Sequence, residues 1–219
     1  VGPGSPDAGP GTPPVAVVGR GEQSVRMQIG VLGATGPAGS GLATRLASAG
    51  FDVVVGSRSK YRALEVVDKI TAKWPDRELS LVAGDNHDAA SAEVVFIATP
   101  WDAAATTAKE CERELKGKVV ISMANALAKV AHEFPPLVPP RGSAAASIQA
   151  AIPQSLVSAA MHHVPAKELG DLANPVESDV LVCSDHDEAT NTTLEIVNAI
   201  PDLRGLDAGE LSNAAPIEA

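Results

Sequence analysis

Aromatic residues are scarce in this chain of 219 residues, which holds two Trp, one Tyr and three Phe. So few rings cannot build a stacking platform for single-stranded nucleic acid. The one tyrosine, Tyr61, is followed four positions later by Glu65. The Tyr-x-x-x-Lys pair, in which a lysine lowers the phenol pKa for proton transfer to a carbonyl, is therefore missing. Cysteine is rarer still: Cys111 and Cys183 stand far apart, with no CxxC and no metal-ligand spacing. That pattern reads as two buried thiols in a reducing, cytoplasmic compartment. No apolar run approaches the length of about 18 residues that a membrane-spanning helix needs, and the N-terminus lacks the basic-then-apolar order of a signal peptide. Positive charge is in deficit, with 17 Lys and Arg against 27 Asp and Glu and a net charge of -10. General affinity for nucleic acid or anionic membranes is excluded on that balance. Any anionic ligand must be held by a local basic cluster.

Such a cluster exists. The stretch from Met27 to Arg62 reads as strand, glycine turn, helix and second strand. Ile29 to Leu32 is apolar enough for a buried parallel strand. Gly33, Gly36 and Gly39 follow at three-residue spacing: the first suits a tight turn, the second lets backbone approach a pyrophosphate, and the third permits close helix–strand packing. The helix predicted from Ala38 to Ala49 aims its N-terminal amides at the same place. After the second strand, Phe51 to Val55, an NAD site carries an acid for the ribose hydroxyls, whereas an NADP site replaces it with Arg near the 2′-phosphate. No carboxylate lies between Asp52 and Glu65, and Ser57, Arg58, Lys60 and Arg62 stand together. Arginine's fork matches a phosphate, so the predicted ligand is NADP.

Residues 1–26 hold five Pro and six Gly without a core-forming pattern, and are expected to be a disordered leader. From Met27 the pattern alternates. Helices are expected over Tyr61–Trp74, Asp102–Leu115, Ser143–Ala151 and Asp187–Ile200. Strands are expected over Leu79–Ala83, Val94–Ala98, Lys118–Met123, Leu156–Met161, Val180–Cys183 and Leu203–Leu206. The fold class is α/β, a Rossmann-type, doubly wound and mainly parallel sheet, with residues of about 152–219 forming a small C-terminal lobe. No nucleophile with a positioned base is visible. His162 and His163, read on a strand, point to opposite faces and do not chelate one metal. Asp185-His186-Asp187-Glu188 reads as an acidic first helical turn. Neither catalytic residues nor metal ligands are expected. Alcohol or ketone reduction needs an acid or base beside the hydride acceptor, whereas hydride transfer between two cofactor rings does not.

In this light the chain resembles the NADPH-dependent reductases of the deazaflavin coenzyme F420. The segments carrying the likeness are Gly33-Ala-Thr-Gly-Pro-Ala-Gly39, Val55-Gly-Ser-Arg58, Thr99-Pro-Trp-Asp102, His162-His-Val-Pro-Ala166, Leu206-Asp-Ala-Gly209 and Leu211-Ser-Asn213. The glycine turn is generic; the Thr-Pro-Trp and His-x-x-Pro-Ala segments discriminate. The resemblance implies that Thr35, Gly36, Pro37 and Ala38 hold the pyrophosphate and that Ser57, Arg58 and Arg62 hold the 2′-phosphate. Thr99, Ala103, Asn125 and Ala166 would line the nicotinamide, with His162 and Val164 facing the deazaflavin. It also implies a homodimer acting on small-molecule substrates, NADP and coenzyme F420, with no nucleic-acid or membrane partner. In that family the chain continues past Ser212-Asn213 into a helical segment, so this chain is expected to be truncated at its C-terminus; archaeal members also tend to carry Arg where Ala215 stands, a second departure from the family pattern. Two other readings stay open: an NADP-binding sensor without turnover, and a related domain that reduces another flavin or ferric iron.

Overall fold

The computed structural model describes Gly2 and residues 26–219. Apart from Gly2 and Arg26, the leader expected over residues 1–26 lies outside the described residues. Strand and helix then alternate, as the apolar pattern predicts. The first half comprises β1 (Gln28–Leu32), α1 (Pro37–Ser48), β2 (Asp52–Ser57), α2 (Lys60–Lys73), β3 (Leu81–Asp85) and the short α3 (Asn86–Ala90). It is followed by β4 (Val94–Ile97), α4 (Trp101–Glu110), α5 (Glu112–Leu115) and β5 (Val119–Ser122). The chain continues through α6 (Ala144–Ala151), β6 (Leu156–Ala159), α7 (Ala166–Leu169), β7 (Ser178–Ser184), α8 (Asp187–Ala199) and β8 (Leu203–Asp207). A 3-10 turn at Leu211–Asn213 and α9 (Ala214–Glu218) close it.

These eight strands form one sheet in the order β3-β2-β1-β4-β5-β6-β7-β8. The six from β3 to β6 are parallel. β7 runs antiparallel to β6, and β8 pairs with β7 in parallel, so residues beyond 152 extend the same sheet. The winding direction reverses between β1 and β4, which opens a crevice at their carboxyl ends. Side chains alternate between two cores. Val94 and Phe96 of β4 join Ile29, Val31 and Leu46 on one face, while Val95 and Ile97 join Leu32, Leu115 and Ile148 on the other. Burial on both faces is why these strands read as unbroken apolar runs.

Tertiary contacts moved several boundaries. The helix expected over Asp102–Leu115 breaks at Cys111, which leaves helical geometry at φ -101° and ψ 15°. The third strand lies two residues beyond its expected start at Leu79. β6 stops at Ala159 because Met161 takes a φ of 67°, so His162 and His163 sit in a turn rather than on a strand. The sequence reading contained no α3. That helix lies close against the sheet because β1, β2 and β3 present Gly30, Gly56 and Gly84 to it; side chains there would strike Ala89 or Asp88. A reciprocal cap starts α3, with the Asp85 carboxylate accepting from the Asp88 amide at 2.8 Å and the Asp88 carboxylate from the Asp85 amide at 3.1 Å.

Candidate functional site

After β1 the chain turns through Gly33 with a φ of 73°, a left-handed conformation that glycine adopts without a Cβ clash. A side chain there would also run into the Thr99 methyl. The turn is pinned on two sides: the Gly33 amide donates to the side-chain oxygen of buried Asn86 at 3.4 Å, and the Ala34 amide donates to the Gly56 carbonyl at 2.9 Å. Gly36 is the N-cap of α1, with Pro37 in the first turn and no side-chain cap. The leading amides therefore lack a protein acceptor and, with the positive end of the helix dipole, suit an anion. Gly36 and Gly39 serve different ends. A Cβ on Gly39 would lie 2.7 Å from the Ala34 Cα, whereas one on Gly36 would meet no protein atom within 4 Å. Gly39 admits the close approach of the helix, and Gly36 leaves room for a ligand.

At the end of β2, Ser57 is buried and its hydroxyl accepts from the Ser59 amide at 3.3 Å. Arg58 and Arg62 are exposed. Among the described residues neither forms an ion pair, while Lys60 between them is engaged by Asp88 at 3.3 Å. Among the described residues two guanidinium groups thus lack an ion-pair partner, one just past β2 and one in the first turn of α2, at the position where the fold discriminates between the two dinucleotides.

A row of unsatisfied polar atoms continues the edge on the other side. Thr99 Oγ1, Asn125 Oδ1 and both ring nitrogens of His162 are buried without a hydrogen-bond partner. They stand just beyond β4, β5 and β6, three neighbours in the sheet. The Asn125 amide nitrogen ties two of them together by donating to the His162 carbonyl at 2.7 Å. An unpaired buried polar group costs about 1–3 kcal/mol, so four of them along one edge make it the candidate place for a ligand's polar groups. Burial, reinforced by the neighbouring His163, holds the His162 pKa down at about 4. The Ala160 carbonyl acts in the opposite direction without meeting hydrogen-bond geometry. The ring of His163 stands edge-on to it at 5.6 Å and is itself exposed, its Nε2 donating to the Asp179 carbonyl at 2.6 Å.

The other predicted positions are distributed around this edge. Thr35 and Pro37 are exposed on the rim, and Ala38 and Ala103 are partly buried in the first turns of α1 and α4. Ala166 opens α7. Val164 is only 5% exposed and packs with Met161 and Leu169 in the core. Trp101 lies against the opposite core. Two clefts, of about 330 and 310 Å3, lie along α6 and along β7–α8, and neither contains a predicted site residue. Asn86, which anchors Gly33, was missed; its signal was the Gly84-Asp85-Asn86 run with Asp88 completing the cap.

A sheet that reverses beside a glycine cradle, with unpaired arginines at one end of its carboxyl edge and unsatisfied polar atoms at the other, defines a Rossmann-type, dinucleotide-binding oxidoreductase. The profile of the family described as NADP oxidoreductase coenzyme F420-dependent matches residues 28–126. The F420-dependent NADP reductase of Methanocaldococcus jannaschii is 37% identical over 198 residues, covering 88% of each chain. That of Methanothermobacter marburgensis is 34% identical over 199 residues, again covering 88% of each. Among solved structures, a protein of Arthrobacter sp. fb24 presented as an F420-dependent NADP-reductase superposes with a TM-score of 0.72 at 24% identity, covering 88% of this chain and 89% of that one; this likeness concerns the fold. The chain belongs to the F420-dependent NADP reductase family.

Proposed function

We propose that this protein transfers a hydride, in either direction, between NADP(H) and the deazaflavin coenzyme F420. The observation that carries the reading is the layout of the carboxyl edge: a phosphate cradle and two unpaired arginines at one end, and four unpartnered buried polar atoms at the other. The two ring systems supply the redox chemistry, and the proton that balances reduction of the deazaflavin is exchanged with solvent. The protein binds and orients. Gly36 and the first turn of α1 receive the pyrophosphate, and Ser57, Arg58 and Arg62 receive the 2′-phosphate. Thr99, Ala103, Asn125 and Ala166 line the nicotinamide, while His162 and Val164 border the deazaflavin. His162 stays neutral at physiological pH, so one of its ring nitrogens donates and the other accepts.

The reading extends to a cytoplasmic homodimer. Support comes from the buried, unlinked thiols of Cys111 and Cys183 and from the loop after β5, where Val130, Phe134 and Val138 are exposed. Among the described residues no helix is long and apolar enough to cross a membrane. The deciding experiment follows deazaflavin absorbance on mixing with NADPH, and the reverse reaction with reduced deazaflavin and NADP. Turnover in either direction is the expected result. NADPH binding without turnover in either direction would leave a nucleotide sensor and overturn the proposal.

A further inference from the structure

α1 carries a residue that dinucleotide binding leaves unexplained. Arg45, in its third turn, is only 6% exposed, although arginine is seldom buried unless paired. Its guanidinium donates to four backbone carbonyls: Nε to Leu169 at 3.1 Å, and Nη2 to Glu168 at 2.7 Å, Asp171 at 2.6 Å and Asn174 at 3.3 Å. No side-chain carboxylate receives any of these bonds. Burial lowers its pKa, and the nearby charges of Asp171 and Asp202 act to raise it; an arginine remains a cation under these opposing influences. Glu168 and Leu169 form the end of α7, a helix of four residues, too short to satisfy its own last carbonyls.

A second contact joins the same two helices. One turn before Arg45, Gly41 brings the backbone of α1 against α7: a Cβ there would lie 2.7 Å from the Ala166 carbonyl and 3.1 Å from the Gly170 amide. Lys73, at the end of α2, also donates to the Gly170 carbonyl, at 3.1 Å. The segment from Ala166 to Asn174 is thus hung on the helices of the nucleotide-binding half by cationic donors. That segment directly follows His162 and Val164, and α1 begins at the phosphate cradle. One rigid helix therefore carries the phosphate site at its first turn and, at its third, the anchor of the loop bordering the second ring.

We propose that Arg45 is a positioning residue for hydride transfer: its bonds to four carbonyls fix the Glu168–Asn174 segment against α1 and, through it, the adjoining His162–Ala166 loop, and so set how closely the deazaflavin meets the nicotinamide. The inference rests on the hydride-transfer reading. Arginine suits the task because its planar fork reaches several carbonyls at once, which a lysine ammonium on a flexible stem does not. Reacting atoms must approach to about 3–3.5 Å, and a misplacement of about 1 Å costs on the order of 10²-fold in rate.

Arg45→Met keeps the stem and removes the donors. It should leave the NADPH Kd within about threefold while lowering the single-turnover hydride-transfer rate by about 10- to 100-fold. Arg45→Lys should recover part of that rate, and guanidinium ion added to Arg45→Ala should recover more. Gly41→Ala, which presses on the Ala166 carbonyl and leaves the Arg45 donors in place, should give the same split between binding and rate; it also serves where Arg45→Met fails to fold. An unchanged single-turnover rate in the folded variants would overturn the inference. So would a rate loss that tracks an equal loss of NADPH affinity and melting temperature with no recovery by guanidinium, which is the behaviour of a merely structural residue. Absence of turnover in the parent protein would instead overturn the proposed function itself.

Discussion

Lowering the pH should destabilise the ligand-free protein through His162. An unfolded histidine titrates near 6.5, whereas the folded ring titrates at about 4 because protonation would place an imidazolium in a buried site with no partner. Between these values the unfolded chain binds the extra proton and the native state does not, so stability falls as pH falls. The penalty is absent above pH 6.5 and complete below about pH 4. The gap of about 2.5 units, at 1.36 kcal/mol each, corresponds to about 3 kcal/mol. Urea unfolding followed by circular dichroism at steps from pH 7 to pH 4 would measure it, beside His162→Phe, which keeps a ring and removes the titration. Carboxylates with lowered pKa values, such as Asp88 and Asp179, titrate in both proteins, so the difference between the two curves isolates the histidine. That difference should shift by about 2–4 kcal/mol in favour of the variant as pH falls from 7 to 4. A flat difference curve would mean that water or a rearranged neighbour solvates the ring, and would refute the argument that its nitrogens await a ligand.

Gly36→Ala should leave the melting temperature unchanged and weaken NADPH by at least about tenfold, because the new methyl meets no protein atom and intrudes where backbone must approach phosphate; calorimetry and titration check the pair of outcomes. Gly33→Ala should instead cost about 2–4 kcal/mol, combining left-handed strain with the clash on Thr99, which denaturant unfolding would register. NADPH should bind at least about tenfold more tightly than NADH, given charge-assisted contacts from Arg58 and Arg62. Arg58→Ala should remove most of that preference with little change for NADH. Equal dissociation constants for the two cofactors in the parent protein would contradict the assignment of the basic pair.

Much of this was legible in the chain because its signals are local. The run from Ile29 to Leu32, the spacing of Gly33, Gly36 and Gly39 and the basic cluster after β2 each depend on a few neighbouring residues whose backbone chemistry allows one arrangement. The alternation of apolar strands with helices specified a doubly wound sheet for a similar reason, since each strand must bury both faces. Other features needed partners distant in sequence. α3 shows itself only once Gly30, Gly56 and Gly84 stand side by side, and β7 turns antiparallel only when placed against β6. His162 is a turn residue because Met161 adopts a left-handed backbone, which its sequence neighbours do not announce. Arg45 reads as an ordinary helical cation, and its four carbonyl partners lie more than a hundred residues further along the chain. Residue type and spacing by themselves determined the cradle and the chemistry it can bind. Which polar groups end up buried and unpaired along the edge, and what holds the second half of the site at its distance from the first, was decided by long-range packing, because burial and hydrogen-bond satisfaction are properties of the assembled sheet rather than of any segment within it.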